Sequence, residues 1–296
     1  MIRLNKNQAR YSSGGRPPTV RDALTPQKIQ YAAERMMRTG LSVEAWQVLD
    51  RLYVSGIMTV EQTGQARRTL RNYARERLIA RYTYPSKEVL RQLGERFLSV
   101  KDGQLYTLGQ VGMEILTMRH GLRPTRQFLA YPLERILSAL ILNEIIQRIE
   151  AEARKYDWTL ERYSLEEAQL SKDEKVLLSP SALISLEKGD REIFFSVEYH
   201  DEENSRTTWK KVQEYEDAYE SGLWEEKWLG ESFPLVLVVF RHNRIGEGYR
   251  EAISEMRTVN TSFYGRSLEG LWQADRIETW VNIEKGSREK VFPWLE

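Results

Sequence analysis

From Ser42 onward, apolar residues recur at helical spacing. Ala45, Val48, Leu49 and Leu52 fall at i, i+3, i+4 and i+7 behind Ser42, a side chain suited to capping, and predict a helix that ends at Gly56. Thr59–Thr63 predicts a short second helix capped by Thr59, Gly64 a turn, and Ala66–Leu78 a third helix. Ile79–Tyr84 and Gln104–Leu108 then read as strands able to pair, and Gly109–Arg119 as one more helix. Two helices around a tight turn, followed by a hairpin, make the order of a winged helix-turn-helix. Leu133–Ala153 is a long, strongly apolar helix, and beyond it the period changes. Trp158–Tyr163, Ser181–Glu187, Ile193–His200 and Phe233–Phe240 read as strands, Thr207–Trp224 and Tyr249–Val259 as helices, and Leu268–Ala274 as a last strand. A hairpin through Gly189 and Asp190 followed by a helical crossover implies a mixed sheet with helices on both faces.

Projecting the third helix at 100° per residue puts Leu70, Tyr73, Ala74 and Leu78 on one side and Arg68, Arg71, Asn72 and Arg75 on the other. Arginine can hold a guanine edge or a phosphate through two hydrogen bonds, and asparagine can do the same with adenine. With Arg67 at the start of the helix and Arg81 on the first wing strand, these residues are the candidate DNA contacts. A helix carrying arginines only for solubility usually intersperses glutamates, and here Glu76 alone does so.

Charge sharpens this division. The net charge of +1 hides 22 Lys/Arg against 10 Asp/Glu in residues 1–130, a surplus of +12, and 22 against 33 in the remainder, a surplus of −11. A basic half points to a polyanion, because neutralising phosphates and releasing counterions drives non-specific nucleic-acid affinity. Residues 1–25 hold five Lys/Arg, one Asp and few apolar side chains, and read as a disordered basic arm. The domain expectation is therefore an arm over 1–25, a winged helix-turn-helix over 26–125, and an α/β domain over 126–296. With no cysteine, disulfide frameworks and thiolate zinc sites are excluded, and three histidines argue against an all-histidine metal site. The longest apolar stretches are too short or too interrupted to span a bilayer, so the expected setting is cytoplasmic.

The strand and helix order of the second half resembles the PD-(D/E)xK nuclease skeleton, whose chemistry needs Mg²⁺ on carboxylates from adjacent strands and a nearby lysine. Glu198 stands on the second hairpin strand, and His200, two residues on and on the same face, takes the place of the lysine. Ser181 occupies the first-strand position after Pro180, where that skeleton carries Asp. Glu187 shares its parity but lies six residues along, about 20 Å at strand rise, too far for a shared ion. Asp173 and Glu174, in the preceding loop, remain alternatives. Lys211 and Tyr215, one turn apart on the following helix, could supply the missing lysine.

Taken in order, these segments resemble the replication-relaxation family of plasmids and mobile elements, which is similar in turn to C-type mobilisation relaxases. The matching pieces are Leu49–Gly56, Arg68–Ile79, Tyr106–Gly112, Ser179–Leu186, Phe194–Tyr199, and Lys211 with Tyr215, and the resemblance as a whole covers roughly residues 42–260. The resemblance implies an N-terminal winged helix joined to a PD-(D/E)xK-like domain, α+β overall, that binds an origin or transfer region. Carried over by position, Glu198 and Lys211 are the surviving active-site members and Ser181 marks the lost one.

Three functional expectations follow. The first is a sequence-specific binder of double-stranded DNA, acting in replication, transfer or transcriptional control without a cofactor. Its nuclease-like domain is inactive and serves homodimerisation or a protein partner. The second is a Mg²⁺-dependent nickase using Glu198 and Lys211. The third is a protein–protein interaction module.

Overall fold

The computed structural model describes residues 10–11, 24–83, 97–98, 104–124, 133–202, 205–228, 230, 232–256, 259–273, 277 and 279–295. Most of the expected arm, the wing connection and residues 125–132 lie outside them. The chain is mixed α/β and divides into two compact units, Met1–Glu144 and Ile145–Glu296. The division falls inside a helix, downstream of the 125/126 junction suggested by the sequence.

In the first unit, α1 (Pro26–Thr39), α2 (Val43–Ser55), α3 (Val60–Thr63) and α4 (Arg67–Arg75) precede β3 (Ile79–Thr83), β4 (Gln104–Leu108) and α5 (Gln110–His120). Two-residue strands β1 (Arg10–Tyr11) and β2 (Met58–Thr59) flank the hairpin, giving the order β1-β3-β4-β2. Within the expected arm, Arg10 and Tyr11 thus pair with β3. Ser42 caps α2, and Thr59 caps α3 in a reciprocal capping box with Gln62. The buried stripe Val48, Leu49 and Leu52 meets Leu70, Leu78, Tyr106 and Ile115 in one core.

α4 is shorter than expected. Arg77 has φ of +61°, and the amide of Leu78 returns to the Tyr73 carbonyl, closing the helix with a left-handed turn that few non-glycine residues adopt. That turn seats α5. A Cβ on Gly109 would stand 2.1 Å from the Arg77 carbonyl oxygen, and one on Gly112 would stand 2.1 Å from that of Leu78. Only glycine fits either position. The glycine spacing of Tyr106–Gly112 is therefore a packing device that fixes the C-terminal end of α4.

The long helix α6 (Leu133–Arg154) begins in the first unit. There the Asn143 amide donates to the Ile57 carbonyl at 2.6 Å, and that of Gln62 to the Leu140 carbonyl at 2.8 Å.

The second unit is built on a seven-stranded mixed sheet. Its elements are β5 (Thr159–Arg162), α7 (Leu165–Ala168), β6 (Leu170–Lys172), β7 (Lys175–Leu178), β8 (Ala182–Lys188), β9 (Arg191–His200), α8 (Arg206–Ser221), α9 (Leu223–Trp228), β10 (Leu235–Phe240), α10 (Asn243–Glu255), β11 (Phe263–Ser267), α11 (Leu268–Gln273), β12 (Thr279–Asn282) and β13 (Arg288–Lys290). Strands β9, β10 and β11 are parallel, and their neighbours on both sides are antiparallel. Helices α8 and α10 bury Val212, Tyr215, Ile245 and Tyr249 against Leu183, Phe194, Val236 and Val238 of the sheet. The buried Glu216 carboxylate accepts the backbone amides of Asn260 and Thr261 at 2.8 and 2.9 Å, tying α8 to the entry of β11.

Several boundaries differ from expectation for identifiable reasons. Leu268–Gln273 is a helix, its Leu268 and Leu271 buried one turn apart, and the strand lies before it at Phe263–Ser267. The helix expected over Thr207–Trp224 breaks at Gly222, whose φ is +66°. That expected over Tyr249–Val259 starts at Asn243 and ends at Glu255. Asp173 and Glu174 occupy the tight turn of the β6-β7 hairpin, not an open loop.

Candidate functional site

Two surfaces collect the residues singled out by sequence. On α4, Leu70 is fully buried while Arg67, Arg68, Arg71, Asn72 and Arg75 are exposed, the partition that helical projection predicts. Tyr73 and Ala74 pack partly against the core. Among the described residues, no carboxylate pairs with Arg68, Arg71 or Arg75. Arg81, on β3 opposite Tyr106, is half-buried.

The second constellation forms where β8 begins and β9 ends. The β8-β9 register pairs Ala182 with Val197, so Ser181 stands one step beyond, opposite Glu198. Strand parity sends Ser196, Glu198 and His200 to one face, the face covered by α8 and α10. On α8 the four-residue spacing brings Lys211 and Tyr215 over them together.

Glu198 is 1% exposed and accepts from every side. The Ser181 hydroxyl donates to Oε2 at 2.6 Å and the Ser181 amide to the same oxygen at 3.3 Å. The Tyr215 hydroxyl donates to Oε1 at 2.7 Å, and Lys211 Nζ lies 3.0 Å from it. Because the single Tyr215 proton goes to Glu198, the Ser196 hydroxyl donates to Tyr215, extending the chain inward. Burial pushes the Glu198 carboxyl up, but the charges of Lys211 and His200 and the bonds from Ser181 and Tyr215 outweigh it and hold the group below the usual range. Burial likewise opposes the Lys211 charge, yet Glu198 and Glu214 raise its pKa above the usual lysine value. Both partners are therefore charged near neutrality. Lys211 also donates to the Ser179 carbonyl at 3.0 Å, so this half-buried lysine is a structural cation and not a solvated helix residue.

A carboxylate offers about four lone-pair positions, and four donors occupy those of Glu198. A divalent cation of the kind implied by the nuclease-like skeleton needs carboxylate oxygens free to bind it. Among the described residues, no group of three or more Asp, Glu or His side chains is placed to hold such an ion. Asp173 and Glu174 are exposed at their turn, and Glu187 pairs with Thr159 and Glu192 at the far end of β8. The residues present do not fit the metal.

His200 has both ring nitrogens engaged, Nδ1 with Glu202 at 2.7 Å and Nε2 with the Tyr249 hydroxyl at 2.8 Å. It serves as a buried polar tie. Ser196, Glu202 and Tyr249 were not singled out by sequence. The run of Ser196, Glu198 and His200 at alternate positions of the apolar second half of the strand is the signal that reveals the first of them.

No helix among the described residues is long and apolar enough to cross a membrane. No curated protein and no solved structure matches the chain. The profile of the replication-relaxation family matches residues 42–229, more than half of the chain, from α2 through the Glu198–Lys211 pair to the end of α9. The chain belongs to the replication-relaxation family.

Proposed function

We propose that this protein is a sequence-specific DNA-binding protein of a plasmid, phage or integrative element. On this reading the first unit is a winged helix-turn-helix with α4 as its reading helix. The second is a nuclease-like domain that has lost its chemistry and serves dimerisation or a protein partner. Family membership ties the chain to replication or transfer of such an element. The finer reading rests on one observation: the outward face of α4 gathers exposed Arg68, Arg71, Asn72 and Arg75 on a helix whose opposite face is locked in the core. The filled lone pairs of Glu198 support the non-catalytic half of the proposal.

Gel shifts on DNA from the host element test the first half. Changing Arg68, Arg71 and Arg75 together to Ala should abolish specific binding and lower the slope of log affinity against log salt by about 3, one unit for each phosphate no longer neutralised. Unchanged binding would show that α4 does not read DNA. Supercoiled plasmid incubated with Mg²⁺ or Mn²⁺ tests the second half. Nicking that vanishes in Glu198→Ala would overturn it.

A further inference from the structure

The second unit contains a cationic cavity that the DNA-reading role of α4 does not use. It has a volume of about 560 Å³ and lies where parallel strands β10 and β11 reach their carboxyl ends, beside α10 and β12. Open α/β sheets collect ligands at that edge. Three guanidinium groups line it from three separate elements: Arg250 of α10, Arg266 of β11 and Arg288 of β13. Glu247 is the one carboxylate among its described lining residues.

Arg266 is the telling member. Its Nη2 donates to the Gly270 carbonyl at 3.1 Å, while its Nη1 is buried with no hydrogen-bond partner. Burial first, then the like charges of Arg148 and Arg288, push its pKa below the ordinary arginine value. Arg148 itself lies over the Trp272 ring, 4.7 Å from its centroid, and brings no negative charge. A buried donor without an acceptor and a cluster of unneutralised cations both destabilise the fold. An anion with several acceptor oxygens relieves both at once. Guanidinium groups suit phosphate in particular because they bind it through paired, charge-assisted hydrogen bonds.

We propose that this cavity binds the phosphate group of a nucleotide, free or at the end of a DNA strand, through Arg250, Arg266 and Arg288. Orthophosphate alone would leave most of the volume empty, whereas the cavity is of the size that drug-sized ligands fill. Glu247 accepts from the hydroxyl or amino groups that a nucleotide carries beside its phosphate.

Isothermal titration of the full-length protein with ATP, with inorganic phosphate and with a 5′-phosphorylated single-stranded oligonucleotide tests the site. The oligonucleotide arm uses the Arg68, Arg71, Arg75 triple-Ala background, so that failure of the α4 assignment and failure of this one are distinguishable. ATP or the phosphorylated oligonucleotide should bind, and R288Q and R266Q should each weaken that binding about tenfold or more. Arg288 is exposed, so R288Q decides the matter even where R266Q fails to fold. ATP binding identifies a free nucleotide, and binding that needs the 5′-phosphate identifies a DNA end. Binding of inorganic phosphate alone, no binding at millimolar probe, or R288Q affinity equal to wild type would overturn the proposal.

Discussion

Ser181 gives both its hydroxyl and its backbone N–H to one oxygen of Glu198, at 2.6 and 3.3 Å, from the position directly across the β8-β9 ladder. A serine where the PD-(D/E)xK skeleton carries a second carboxylate thus acts as a donor to the first. Ser181→Ala should leave Oε2 with the backbone donor alone and lower stability by about 1–3 kcal/mol, measured by urea denaturation. The wild-type melting temperature should be the same in EDTA and in millimolar Mg²⁺, since the Glu198 lone pairs are already filled.

The Glu198–Lys211 pair sets a pH window. The pKa of Glu198 is lowered from its ordinary 4.5, so its contribution is present above that value and is lost as pH falls through the lowered pKa. The pKa of Lys211 is raised from its ordinary 10.5, so its contribution is present below that value and is lost as pH rises through the raised pKa. Lys211→Met should cost about 3–5 kcal/mol at neutral pH by stranding a buried carboxylate, and should flatten the alkaline limb of the stability curve. Denaturation midpoints across the pH range check both limbs.

The turn that ends α4 offers opposite effects at neighbouring positions. Arg77→Gly should stabilise the chain by about 1 kcal/mol, because glycine adopts φ of +61° without strain. Gly109→Ala should cost about 3 kcal/mol by driving a methyl group into the Arg77 carbonyl. Thermal melts of the two variants should move in opposite directions.

On the proposed reading of α4, Asn72 separates specificity from attraction. Asn72→Ala should relax sequence preference by about 1–3 kcal/mol at one base pair while leaving the salt dependence unchanged, as binding to single-substituted sites would show.

Much of this was legible in the sequence, for reasons that individual residues make plain. The caps Ser42 and Thr59, the i, i+3, i+4 spacing behind Ser42 and the two-residue turn at Gly189 are local signals, and they found α2, α3 and the β8-β9 hairpin. α1 was missed although Thr25 caps it, Pro26 opens it and Ile29, Ala32, Ala33 and Met36 keep the same i, i+3, i+4, i+7 spacing. The β6-β7 turn was hidden because Asp173 and Glu174 adopt positive φ where sequence rules look for glycine. At the site, Glu198, Lys211 and Ser181 were visible as residue types in a familiar order. Their mutual saturation was not, since it depends on how α8 crosses back over the sheet. The Arg250, Arg266 and Arg288 cavity gave no sequence signal, because residues far apart in an acidic half converge only when β11 and β13 take their places at one side of the sheet.

The backbone seat of α4 has an evolutionary consequence. Its C-terminal end is positioned by main-chain carbonyls of Arg77 and Leu78 lying against Gly109 and Gly112, and its inner face by the buried Leu70. None of the outward side chains takes part in that anchoring. On the proposed reading of α4, the exposed positions can therefore change one residue at a time without first rebuilding the platform that presents them.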